Sequence, residues 1–159
     1  MPEITPFGWF HTLTGVTALL SGVYTLAKFR IIQLESGSGR VYLISTLIAA
    51  LSALGIYKHG GFGVAHFLAV LTLLALLVGA VAEKTRWFGT FSRYLQAASY
   101  SATFLFHMIP AITDGLMRLP VNSPMVTDLA DPLLRGFYLV FLVAYVVGLA
   151  LQINWLRKN

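Results

Sequence analysis

Residues 61–82 read GFGVAHFLAVLTLLALLVGAVA, a run without a single Asp, Glu, Lys or Arg. A helix crosses the hydrocarbon core of a bilayer with about 20 such residues, so this stretch predicts a membrane span. From Leu71 to Val81 it carries almost nothing that lipid would reject. The rest of the chain agrees: 57% of its 159 residues are apolar and only 11% are charged, outside the range of soluble domains. Four more apolar runs of helical length flank the first.

The expected fold is therefore all-α, a single integral membrane bundle of five transmembrane helices. Their predicted positions are 7–29, 40–57, 61–82, 91–119 and 133–156. That leaves almost no soluble domain, so any function sits inside the bundle or at its rims. The first helix is preceded by Glu3 and no basic residue, with no small-residue cleavage site after it, and reads as a retained span. Cysteine is absent, which excludes disulfides, thiolate metal sites and thiol redox chemistry.

Charge gives an orientation. With five spans, Lys28, Arg30, Arg40, Lys84, Arg86, Arg93, Arg157 and Lys158 fall on the side of the C-terminus, and Lys58, Arg118 and Arg135 on the other. Basic residues collect in short cytoplasmic loops, so the N-terminus is expected outside and the C-terminus in the cytoplasm of a bacterial inner (plasma) membrane. Trp9 at the outer rim, and Trp87 and Trp155 at the inner one, fit interfacial belts. The net charge of +5 follows from this topology and calls for no nucleic-acid partner.

The most chemically loaded stretch is Phe106 to Pro120, FHMIPAITDGLMRLP. His107, Ala111, Asp114 and Arg118 share one helical face there, and Pro110 frees the carbonyl of Phe106 beside His107. Upstream on the same helix Gln96, Ser99, Thr103 and His107 form a polar stripe. Helix one carries His11 ahead of Gly15, Ala18 and Gly22, a small-residue seam that lets another helix or a flat ligand approach. Helix three carries His66 near its outer end. At a rise of about 1.5 Å per residue, His11, His66 and His107 are each expected roughly 5 to 10 Å below the outer helix ends. His59 lies just above them in the outer hairpin, so all four histidines gather on one side.

Imidazoles brought to one level suit two jobs. A facing pair can ligate haem b iron axially, with the seam of helix one making room for the macrocycle. Alternatively His11, His66 and His107, joined by Asp114, can hold copper, zinc or iron. Against both stands the structural reading, in which each histidine bonds a nearby carbonyl or hydroxyl. Asp114 and Arg118 read as a neighbouring ion pair, or as an acceptor that orients His107 and a gate. Two functions thus stay open: haem or metal binding in service of electron transfer, and a non-catalytic subunit or assembly factor packed among other membrane subunits. No nucleophile, carboxylate pair or metalloprotease spacing supports an enzyme acting on lipid or quinone.

His11 before its seam, Gly39-Arg40-Val41-Tyr42 opening helix two, and Arg93-Tyr94 leading into helix four resemble a bacterial family of predicted multi-helix membrane proteins of unknown function. The arrangement more distantly resembles the four-helix core of the cytochrome b561 and ferric-reductase group. That resemblance implies haem b between histidine pairs. With no inner histidine here, it implies one outer haem exchanging electrons with a quinol or a periplasmic redox partner.

Overall fold

The computed structural model describes residues 4–57 and 61–159. They form five helices: α1 (Pro6–Phe29), α2 (Gly37–Leu54), α3 (Val64–Thr85), α4 (Phe91–Arg118) and α5 (Pro132–Lys158). Of these, α2, α3 and α5 are long and apolar enough to cross a membrane. Lys58 and His59 lie outside the described residues.

Local chemistry sets the helix ends. Thr5 caps α1, its hydroxyl accepting from Gly8 N–H at 3.1 Å, and Pro6 occupies the first turn where its missing N–H costs nothing. The helix expected from Arg40 starts three residues earlier, because Ser36 Oγ accepts from Gly39 N–H at 3.1 Å. It also stops earlier, at Leu54 before Gly55. The helix expected from Gly61 begins at Val64, since the extended Gly63 serves as its N-cap. Pro110 does not break α4, which continues to Arg118.

Neighbours in sequence are neighbours in space: α1 packs on α2, α2 on α3 and α3 on α4. A lighter α1–α4 contact makes these four a bundle, and α5 lies outside it against α4. Only Leu134, Gln152 and Leu156 of α5 are buried. The core gathers Ala18, Ile32, Tyr42, Leu43, Leu76 and Tyr100, with Phe104 packed against it. Two tyrosine rings fill its centre. A Cβ on Gly22 would stand 2.8 Å from the Tyr42 ring, and one on Gly79 would overlap the ring of Tyr100. Glycine is thus required at both positions by contact.

The segment between α1 and α2 is tied into the bundle. Ile32 is buried in the core. Glu83 on α3 accepts from Leu34 N–H at 2.7 Å, Gln96 on α4 donates to the Ile32 carbonyl at 3.2 Å, and Gln152 on α5 donates to the Arg30 carbonyl at 2.9 Å. At the opposite rim the loop after α4 folds back, with Met125 N–H donating to Leu119 and Val126 N–H to Leu116.

Candidate functional site

His11 and His107 meet the same helix from two sides. From the second turn of α1, His11 Nδ1 lies 3.1 Å from the Ala49 carbonyl and 3.0 Å from Ser52 Oγ. Ser52 itself donates to the Ala49 carbonyl at 2.9 Å. The carbonyl can only accept, so Nδ1 carries the proton and the neutral ring keeps its lone pair on Nε2. From α4, His107 Nε2 lies 3.0 Å from Thr46 Oγ1. Thr46 and Ala49 are one turn apart on one face of α2.

A polar thread continues inward from His107. Tyr42, fully buried, stands 2.6 Å from Thr103 Oγ1. Thr103 donates to the Tyr100 carbonyl at 2.7 Å, so the Tyr42 hydroxyl is the donor to Thr103. The Tyr42 and His107 rings meet edge to face with centroids 6.4 Å apart. Tyr100 in turn donates from its hydroxyl to Glu83 at 2.9 Å. Glu83 therefore joins α4 to the α1–α2 connection. In apolar surroundings such groups must be satisfied by one another, and these are.

His66 stands apart from the other two. Because α3 starts at Val64, His66 falls in its first turn and not deeper, 4% exposed between Tyr57 and Phe62, with ring centroids 4.7 and 5.2 Å away. Its Nδ1 accepts from Gly63 N–H at 3.1 Å, which puts the neutral ring's proton on Nε2. That Nε2 is buried and has no hydrogen-bond partner among the described residues. His107 stands about three turns, or ~16 Å, from the end of α4 at Arg118.

The remaining expected residues are spread along the bundle. Asp114 stands two turns beyond His107 and faces Arg118 at 3.8 Å, with its side chain 57% exposed. Gly22 receives the Tyr42 and Phe104 rings, Ala18 is fully buried, and a Cβ on Gly15 would meet nothing within 4 Å. The described residues contain no group of three or more His, Asp or Glu placed to hold a metal ion. His107 Nε2 and His66 Nδ1 are occupied as arranged. A metal at His66 would have to exchange the Gly63 contact, whereas His107 could ligate through Nδ1 with its Nε2–H donating to Thr46.

Tyr42, Thr46, Tyr100 and Glu83 were not singled out from sequence as site residues. Glu83 carried a usable signal, a carboxylate directly after the apolar run GAVA and before Lys84. Tyr42 carried only its place in the Gly39-Arg40-Val41-Tyr42 element, and Thr46 carried none beyond its membership of an apolar helix.

The chain matches no family model, no curated protein and no solved structure. What the fold defines is an all-helical bundle with three helices suited to a membrane.

Proposed function

We propose that this protein is a multi-pass subunit or assembly factor of a larger complex in a bacterial inner membrane, with histidines that join helices and do no chemistry of their own. The observation that carries this reading is the use of each described imidazole. His11 and His107 tie α1 and α4 to α2, and His66 caps α3.

Five spans, with the N-terminus outside and the C-terminus in the cytoplasm, belong to the same proposal. The polar stripe of α4 is turned largely to partners within the bundle: Gln96 meets Ile32, Thr103 meets Tyr42, and His107 meets Thr46. On α1, Thr12, Thr14, Thr17, Ser21 and Thr25 each donate to the carbonyl four residues back, which makes α1 acceptable to lipid despite its hydroxyls. The asymmetry of basic residues supports the orientation. Helix α5, mostly outside the four-helix core, offers a face to lipid or to another subunit.

A second reading, haem b or a metal ion such as copper, zinc or iron serving electron transfer with a quinol or periplasmic partner, is favoured by one feature. His11 holds the tautomer that ligates metals through Nε2, and it lies near His107. Haem, copper or iron would supply one-electron chemistry, whereas zinc, which has no accessible redox change, would only hold the rings in place. The chain's part would be to orient His11 through Ala49 and His107 through Thr46.

The test is a reduced-minus-oxidised spectrum with total metal analysis on protein purified in mild detergent, beside native gels of the membrane extract. A colourless, metal-free chain migrating in a larger assembly is the expected result. A sharp α-band or one equivalent of metal, lost in His11→Ala and His107→Ala, would overturn it in favour of the second reading.

A further inference from the structure

The rim where α3 turns into α4 brings two arginines and two glutamates to one pocket. Arg86 and Arg93 both line a pocket of about 310 Å³, together with Ser92, Gln96, Trp155 and Glu35. That volume lies at the lower end of the range typical of small-ligand sites, about 300–1,000 Å³. Neither guanidinium has a hydrogen bond or ion pair among the described residues. Arg86 is the residue after α3 and takes a left-handed conformation, φ 50°, which non-glycine residues adopt only at some cost. That conformation ends α3 at the pocket where Arg93, from the first turn of α4, also arrives.

The pocket's surroundings locate it at a lipid surface. Trp87 is 79% exposed, and Phe88 and Phe91 are exposed beside it, all within six residues of the two arginines. Aromatic rings so exposed next to cations are the composition of the membrane–water interface. Lys84, Arg157 and Lys158 add positive charge to the same rim, and basic pockets between helices at such a rim suit anionic head groups. A guanidinium presents a planar fork matched to the oxygens of a phosphate.

We propose that Arg86 and Arg93 bind the phosphodiester of an anionic phospholipid, held in the pocket between the α3–α4 turn and the end of α5. Two carboxylates share the lining. Glu83 spends its oxygens on Leu34 N–H and the Tyr100 hydroxyl, and Glu35 lies against it. Glu35 is thus an opposing charge, and its removal strengthens binding. The proposal rests on the membrane-embedded reading given above.

The experiment uses the full chain reconstituted in phosphatidylcholine nanodiscs with increasing phosphatidylglycerol, with bound lipid counted by native mass spectrometry after extraction. Failure to enter nanodiscs would overturn the membrane reading itself; entry without retained phosphatidylglycerol would overturn only the lipid site. The Arg86→Gln/Arg93→Gln double variant is expected to lose roughly thirtyfold in apparent affinity. A charge-matched Lys28→Gln/Arg40→Gln control, away from the pocket lining, is expected to change far less. Equal losses in both pairs would mean diffuse surface charge and overturn the site. Displacement of the lipid by millimolar inorganic phosphate would reassign it to free phosphate. Should the arginine variant not fold, Glu35→Gln decides: tighter phosphatidylglycerol binding supports the site, and unchanged or weaker binding overturns it.

Discussion

Glu83 Oε1 accepts the backbone N–H of Leu34 at 2.7 Å, across 49 positions of sequence. The same carboxylate takes the Tyr100 hydroxyl on its other oxygen, so one side chain fastens the α1–α2 connection to α3 and α4 together. Hydrogen bonds to a charged group are worth about 1.5–3 kcal/mol, more than a neutral interhelical bond in a membrane at about 0.6 kcal/mol. Glu83 is therefore a polar clamp that joins three parts of the bundle.

Glu83→Ala is expected to lower stability by about 2–3 kcal/mol and to open the connection to trypsin at Arg30 and Arg40. Glu83→Gln keeps acceptor capacity and should lose less. Thermal unfolding in detergent, with timed proteolysis, checks both. Unchanged cleavage in Glu83→Ala would mean that Gln96 and Gln152 hold the segment unaided.

Gly79→Ala pushes a methyl into the Tyr100 ring and is expected to cost about 1–3 kcal/mol by overpacking. Gly15→Ala meets open space and should stay within about 0.5 kcal/mol of the parent chain. A pair of melting curves separates the two. Equal effects would show that the small residues act through backbone entropy and not through ring contact.

The bond between His107 and Thr46 can be measured as a coupling. His107→Leu takes one partner from a fully buried Thr46 hydroxyl that also meets Tyr42, whereas His107→Leu combined with Thr46→Val removes both members of the pair. A double-mutant cycle should return about 0.6 kcal/mol and not more than about 1.7 kcal/mol. A larger value would mean that the pair organises the whole thread through Tyr42.

His66→Phe deletes a buried N–H that has no acceptor among the described residues and gives up only the Gly63 contact. The two changes oppose one another at about 1–3 and about 1 kcal/mol, so the variant should match or exceed the parent in stability. His66→Ala leaves a hole between Tyr57 and Phe62 and should cost at least about 2 kcal/mol. A marked loss in His66→Phe would point to an acceptor that reaches Nε2 in the membrane.

Particular residues separate what was legible from what was not. The run 61–82 announces a helix by composition, and α3 is there, moved by three residues because Gly63 and His66 form a local cap that periodicity does not encode. The shift places His66 in the first turn, away from the depth inferred by counting from Gly61. The stripe Gln96, Thr103, His107 was visible as a helical spacing, but its partners Ile32, Tyr42 and Thr46 lie 64 and 61 positions away. Spacing within one helix says which residues share a face and nothing about what that face meets.

The sequence by itself determined the five helices, the membrane-suited character of three of them and the absence of thiol chemistry, because length, apolarity and residue type are properties of single segments. Tertiary structure decided the rest. It turned His11 and His107 onto one face of α2, filled the space beside Gly22 and Gly79 with tyrosine rings, and made Glu83 a clamp on the connection between α1 and α2. In an apolar interior a polar side chain must find a partner or carry a cost, and packing, not sequence order, supplies that partner.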